Sequence, residues 1–188
     1  MTNQSNEIFM PDIIPNKFMI SACGPNFEIG YKGTLPWKKF SHDMADFSKI
    51  TDGRLLVMGR QTFQSLPPDF KLCNRFILVV TSKTLGFPNF EAIPTAKNFT
   101  PGIAQTSDAS LKSLKISIPL VICGGAKLYQ EHMGKMPLRL TKICNQEINY
   151  QADTYFPSFN FDWRACSKYG VDPGVGSYEV CWYYPRYY

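Results

Sequence analysis

Pro119-Leu120-Val121-Ile122-Cys123-Gly124-Gly125-Ala126-Lys127 decides the architecture. An apolar run ends on two glycines and passes into a segment that reads as a helix through about His132. A short, near-continuous apolar run fits a strand covered on both faces, the usual state of a parallel strand. The pattern recurs. Arg54 to Met58 (RLLVM) ends at Gly59 and is followed by a brief helix over Thr62 to Leu66, halted by Pro67-Pro68. Arg75 to Val80 (RFILVV) runs into Thr81-Ser82-Lys83. Strands that alternate with helices build an α/β layered domain with a mainly parallel sheet.

Upstream, Lys17 to Gly24 reads as a first buried strand. Pro25 to Phe40 is a loop broken by Gly30, Gly33 and Pro36. Ser41 is a plausible N-cap, and Met44, Phe47 and Ile50 recur at helical spacing until Asp52-Gly53. Downstream, Phe90 to Ile93 reads as a strand and Asp108 to Leu114 as a helix. Leu138 to Ile148, Trp163 to Lys168 and Tyr178 to Tyr184 read as closing strands. The expectation is one domain over 17–188 with an N-terminal extension at 1–16. Its sheet is central, twisted and mostly parallel, with an antiparallel C-terminal edge strand and helices on both faces.

Composition agrees with an ordinary globular chain. Of 188 residues, 44% are hydrophobic and 19% charged, which leaves little room for disorder or coiled coil. No run approaches the ~18–20 apolar residues of a membrane span. No basic segment followed by an apolar core marks a secretory signal. The net charge is +5, and the basic residues are scattered, which fits anionic small ligands better than nucleic acid. None of the six cysteines lie as Cys-x-x-Cys, and two histidines add little, so no metal site is expected. Reduced cysteines packed in the core, and a cytoplasmic location, are the expected reading.

Three strand ends carry residues suited to phosphate. Gly124-Gly125 allows close backbone approach at a helix start, although the full G-x-G-x-x-G pattern is absent. A tight packing turn explains it as well. Gly59-Arg60-Gln61-Thr62 offers a guanidinium and a hydroxyl. Thr81-Ser82-Lys83 offers similar chemistry. All three follow strand C-terminal ends, where open α/β sheets hold ligands. Asp43 sits in a first helical turn, where an acid complements the dipole. Phe47 at i+4 shares its face. If that face is interior, the carboxylate must pair with a donor or rise in pKa, and it could hold an amidine-like ring edge bidentately. His42 diverges by about 100° and is expected to face solvent.

Taken together and in order, these residues resemble dihydrofolate reductase. The resemblance rests on Ile29-Gly30-x-x-Gly33-x-Leu35-Pro36-Trp37, Asp43-x-x-x-Phe47, Val57-Met58-Gly59-Arg60-x-Thr62, Cys123-Gly124-Gly125-x-x-x-Tyr129, Asp153-Thr154-x-Phe156-Pro157 and Tyr178-Glu179-Val180. It implies NADPH-dependent reduction of 7,8-dihydrofolate to tetrahydrofolate, with hydride to pterin C6 and a proton to N5. By the same resemblance Asp43 holds the pterin's amino-pyrimidine edge, Thr141 bonds that carboxylate, Leu35 gates water and Trp37 anchors the mobile loop. Ile20, Ala22, Phe47, Leu66, Leu72, Cys123 and Tyr129 line the pocket, and Arg75 grips the glutamate tail. Ala22, Ile29, Gly30, Gly33, Gly59, Arg60, Gln61, Thr62, Thr81, Ser82, Lys83, Cys123, Gly124, Gly125, Ala126, Lys127, Leu128 and Tyr129 surround the cofactor. The implied partners are dihydrofolate and antifolate inhibitors, in a monomer with a metabolic link to thymidylate synthase and no nucleic acid or membrane.

Two departures stand out. Cys123 replaces the family's usual Ile or Val, and Ile77 replaces its usual asparagine two places after Arg75. The rival readings are a non-catalytic folate- or nucleotide-binding paralogue, a related pterin or pyrimidine reductase, and an RNA-binding module.

Overall fold

The computed structural model describes residues 14–37, 39–67, 70–89, 100–161 and 163–186. The strands are β1 (Lys17–Cys23), β2 (Glu28–Gly30), β3 (Leu55–Gly59), β4 (Phe76–Val80), β5 (Gly102–Thr106), β6 (Leu120–Ile122), β7 (Leu138–Ile143), β8 (Thr154–Tyr155), β9 (Trp163–Asp172) and β10 (Gly176–Tyr184). The helices are α1 (Ser41–Ile50), α2 (Arg60–Gln64), α3 (Asp108–Ser113) and α4 (Ala126–His132).

The apolar strands cannot leave either face wet, and the sheet sorts their side chains by the two-residue period. Phe18, Ile20, Leu56, Met58, Ile77, Val79 and Val121 fall on one face, covered by Ile50 and Phe47 of α1 and Phe63 of α2. Met19, Leu55, Val57, Leu78, Val80 and Ile122 fall on the other, covered by Leu128 and Tyr129 of α4 and Leu111 of α3. Helices therefore lie on both faces. The eight-stranded order is β5-β4-β3-β6-β1-β7-β10-β9. Pairs from β5 to β7 are parallel, and β10 is antiparallel to both β7 and β9. The chain returns from β5 to insert β6 beside β1. It then crosses to β7 on the other side, so the winding reverses around β1, where such sheets bind ligands.

The antiparallel edge reaches back to α1. Trp37, Phe40, Ile143, Val175, Tyr178 and Val180 form a third core cluster, with the Phe40 and Tyr178 rings 5.1 Å apart. The helix starts at Ser41 itself, with Phe40 in the cap position and no side-chain cap bond. The expected Ser41 cap is thus replaced. Asp172, buried at the end of β9, accepts the His42 backbone N–H at 3.0 Å and contacts His42 Nδ1 at 2.7 Å. A cap supplied across 130 residues leaves no local mark in the sequence. His42 is 46% exposed, so it does face solvent, but its ring is tethered.

Burial raises the Asp172 carboxyl, and N–H groups of His42 and Gly174 with the His42 ring override it, holding it at about 2. A lowered folded pKa contributes stability above the ordinary value of 3.8 that is lost as pH falls toward about 2. Asp172→Ala is expected to lower the thermal midpoint at pH 7 more than Asp172→Asn, which keeps an acceptor for the His42 N–H. The gap between wild type and Asp172→Ala should narrow below pH 3.8, read by scanning calorimetry.

The strands depart from the sequence expectation at several points. β2 lies in the segment expected to be loop and pairs with β8, a stretch given no element from sequence. β5 was not anticipated because GIAQT, after Pro101, becomes a strand only through its ladder with β4. β7 stops at Ile143 rather than Ile148, and β9 runs on to Asp172. Phe90 to Ile93 lies outside the described residues, as do residues 1–13 of the extension. Cys23, Cys73, Cys123 and Cys144 are free thiols. Cys181, in the core, is disulfide-bonded, contrary to the expectation of reduced core cysteines. No helix among the described residues is long and apolar enough to cross a membrane.

Candidate active site

On α1 the inward positions are Asp43, Asp46, Phe47 and Ile50, spaced i, i+3, i+4, i+7. Facing them, β7 presents Arg139 and Thr141, both buried and two apart, hence on one face. Burial pushes the Asp43 carboxyl above its ordinary 3.8 and Asp46 adds to the rise, while the Thr141 hydroxyl and the Arg139 charge oppose it. Buried Arg139 Nη1 closes no hydrogen bond, and the buried Thr141 hydroxyl has no partner other than the Asp43 carboxyl it faces. Arg139 Nη2 lies 3.2 Å from Asp46 Oδ2, which also meets Lys168 Nζ at 3.5 Å. Asp46 and Arg139 were missed by the sequence reading. An arginine inside Leu138-Arg139-Leu140-Thr141, sharing Thr141's face, was the available signal.

Beside this pair lies an apolar wall. Ile20 is a buried member of the α1-side core, and Phe47, Leu66, Leu72 and Cys123 pack partly buried against it. These sequence-expected pocket residues converge on one cluster. Burial also pushes the Cys123 thiol well up, holding it neutral. Ala22 belongs with the Trp37 cluster. Tyr129 and Leu128 are core residues of the opposite face, although the Tyr129 hydroxyl donates to Ile20 O at 2.7 Å.

The loop before α1 is anchored at one end and open at the other. Trp37 is buried and meets the Tyr150 ring edge-on at 5.8 Å, while Leu35 is 50% exposed. Tyr31 and Thr34 exchange backbone bonds of 2.9 and 3.0 Å around Lys32 and Gly33, both at positive φ, a two-residue hairpin turn. Asp153 accepts the Lys32 N–H at 2.7 Å and donates its own N–H to Gly30 O at 3.0 Å. A Cβ on Gly30 would lie 3.1 Å from Thr154 Cβ. Ile29 packs against the α4-side core.

The three phosphate-suited junctions follow β4, β3 and β6, which are neighbours in the sheet. Gly59 N–H donates to Gly124 O at 2.8 Å, and the Gly124–Gly125 peptide is cis. Gly124 has φ +131, and a Cβ there would meet Thr62 Oγ1 at 2.9 Å. Arg60 reaches Gln64 at 2.7 Å along α2, and Gln61 is exposed. The Thr81 hydroxyl accepts the Lys83 N–H at 3.0 Å, with Ser82 and Lys83 exposed. Ala126 opens α4. The Lys127 ammonium instead turns to Asp108 of α3. Arg75 is buried, its guanidinium bonded to Thr51 Oγ1, Lys71 O and Ser48 O at 2.9, 3.1 and 2.6 Å. Three of five N–H groups are thereby committed, leaving one on each terminal nitrogen.

A cavity of about 580 Å³ opens elsewhere, lined by Phe27, Lys142, Phe159, Arg164 and Tyr183 among others. It shares no residue with the Asp43 cluster.

Residues 17–175 match the family model described as dihydrofolate reductase. The chain belongs to the dihydrofolate reductase family. It is 30% identical over 152 residues to dihydrofolate reductase of Schistosoma mansoni, covering 77% of this chain and 79% of that one. It is 31% identical over 140 residues to dihydrofolate reductase type 8 of Escherichia coli, covering 72% and 77%. In fold it is similar to dihydrofolate reductase from Enterococcus faecalis complexed with NADP(H) and RAB-propyl. That likeness has a TM-score of 0.66 at 23% identity, over 90% of this chain and 96% of the other. Membership in the dihydrofolate reductase family accounts for the mostly parallel sheet and its antiparallel edge.

Proposed function

We propose that residues 17–188 reduce 7,8-dihydrofolate with NADPH, Asp43 being the carboxylate that holds the pterin. The observation that carries this reading is the half-buried Asp43 carboxyl facing a buried Thr141 hydroxyl that has no other partner within the protein. Such a pair is poised for ring donors. Two carboxylate oxygens opposite the amino-pyrimidine edge fix one pterin face, and orientation is a large part of catalysis. Asp43's negative charge favours protonation at N5, which a water entering past Leu35 delivers. Ile20, Phe47, Leu66 and Leu72 exclude bulk water and give the pterin ring an apolar seat. The two unused Arg75 N–H groups suit the glutamate carboxylate, a fork matched to two oxygens.

NADPH, when bound, supplies the hydride. The residues fit it. Gly59 and Gly124 press together at 2.8 Å where a Cβ on Gly124 would crowd Thr62; backbone can approach a diphosphate there. Arg60, Ser82 and Lys83 supply charge and hydroxyl for a 2′-phosphate. Trp37 holds one end of the loop while Leu35 stays free to close over the site.

The test is absorbance at 340 nm with purified protein, NADPH and dihydrofolate. Turnover is expected. Binding of both ligands without turnover would support the non-catalytic paralogue instead. Cys123→Ile is expected to tighten NADPH binding about threefold, roughly one added methylene of apolar burial, read by fluorescence titration; an unchanged affinity and rate would count against a loosened pocket at Cys123. Location in the cytoplasm, a monomeric state, antifolate binding and the metabolic link to thymidylate synthase belong to the same proposal.

A further inference from the structure

We propose that Arg139, held by Asp46, is a positioning residue that sets the charge state of Asp43 and hence the pH range of turnover. The proposal rests on the reading of Asp43 as the substrate carboxylate. Its basis is geometric. β7 and α1 meet through Arg139, 3.2 Å from Asp46, and through Thr141, whose hydroxyl bears on Asp43. The strand spacing of two residues matches the helix spacing of three on these facing surfaces. Arg139 is 8% exposed, and a buried guanidinium is costly unless paired and hydrogen-bonded. Nη2 meets Asp46 at 3.2 Å, while the buried Nη1 closes no bond. Such a charge is poorly explained as packing alone. Its field reaches Asp43 and opposes the effect of burial, and Asp46 acts with the opposite sign. The pair therefore works as an opposed couple beside the carboxylate.

Other charged or titratable groups near Asp43, among the described residues, act elsewhere or stay neutral. From β9, Lys168 acts through Asp46 at 3.5 Å. His42 on α1 is tied to Asp172 at 2.7 Å. From α4, the Tyr129 phenol is held neutral by burial. Arg139 and Asp46 are the charges that bear on Asp43 most directly from β7 and α1.

The test is the pH profile of kcat/KM for dihydrofolate, following the limb that Asp43→Asn removes. Losing the positive charge makes Asp43 hold its proton to higher pH, so Arg139→Met is expected to move that midpoint up by roughly one pH unit. Asp46→Asn is expected to move it down. The Arg139→Met, Asp46→Asn double variant buries no unpaired charge from this couple and should return close to the wild-type midpoint, as should Arg139→Lys. A purely structural role would lower activity in both single variants without opposite displacements, and that result overturns the proposal. If Arg139→Met does not fold, the downward shift in Asp46→Asn and the restored midpoint of the double variant decide it. If Asp43→Asn keeps both rate and profile, the reading of Asp43 falls and this proposal with it. If Asp43→Asn is inactive while the other variants leave the midpoint in place, this proposal alone falls.

Discussion

Asp43→Asn is expected to cut kcat/KM for dihydrofolate by about 10²–10⁴-fold near neutral pH, the scale of losing a positioned acid–base group. NADPH affinity should stay within about twofold, since the glycine junctions are untouched, by analogy with independent distant sites. Stability should move the other way. Asp43 is raised above 3.8 in the folded chain, chiefly by burial. The folded state then holds its proton more tightly than the unfolded state. Its contribution is fully present below the unfolded pKa and is lost as pH rises through the folded one. Asparagine does not ionise, so the variant should melt higher than wild type at pH 7, with the gap closing below 3.8. Each kcal/mol regained is worth about 2–4 °C for a chain of this size. A variant that loses turnover and gains no stability at pH 7 would mean that the carboxylate is better solvated than its burial implies.

Gly124→Ala is the second large effect, and it acts on the cofactor side. The backbone at Gly124 has φ +131, a region that L side chains rarely adopt, and the new Cβ would meet Thr62 Oγ1 at 2.9 Å and Cγ2 at 3.1 Å. Strain of this kind costs about 1–3 kcal/mol. The junction can relieve it only by moving away from Thr62 and from Gly59, whose N–H donates to Gly124 O. NADPH affinity is expected to fall roughly tenfold or more, the equivalent of about 1.4 kcal/mol, with the affinity for a pterin ligand nearly unchanged. Fluorescence titration with each ligand separates the two. Equal losses for both would locate the damage in the sheet rather than in the cofactor seat.

Local patterns carried the elements whose surroundings repeat a simple rule. RFILVV and PLVIC are apolar because parallel strands are covered on both faces, and each reads as a strand without help. Glycines at Gly59 and Gly124-Gly125 mark the strand ends, and the chain order of Trp37, Asp43 and Thr141 marks the site. By contrast, β5 has no apolar signature of its own, and β2 and β8 become strands only by finding each other. Arg75 shows the intermediate case. Its importance was legible, but not that Thr51, Lys71 and Ser48 claim three of its N–H groups.

Short-range decisions were legible in the chain alone: where it runs extended or helical, where it must turn, and which residue types stand at the strand ends. These follow from periodicity and backbone sterics, which act over a few residues. Tertiary structure alone decided the pairings that cross the molecule. Asp172 caps α1 through His42, Arg139 meets Asp46 beside Asp43, and Gly59 closes on Gly124. Each depends on bringing together groups from remote parts of the chain. The free energy of such a contact arises only once the sheet has removed both partners from water, and no residue carries that information alone.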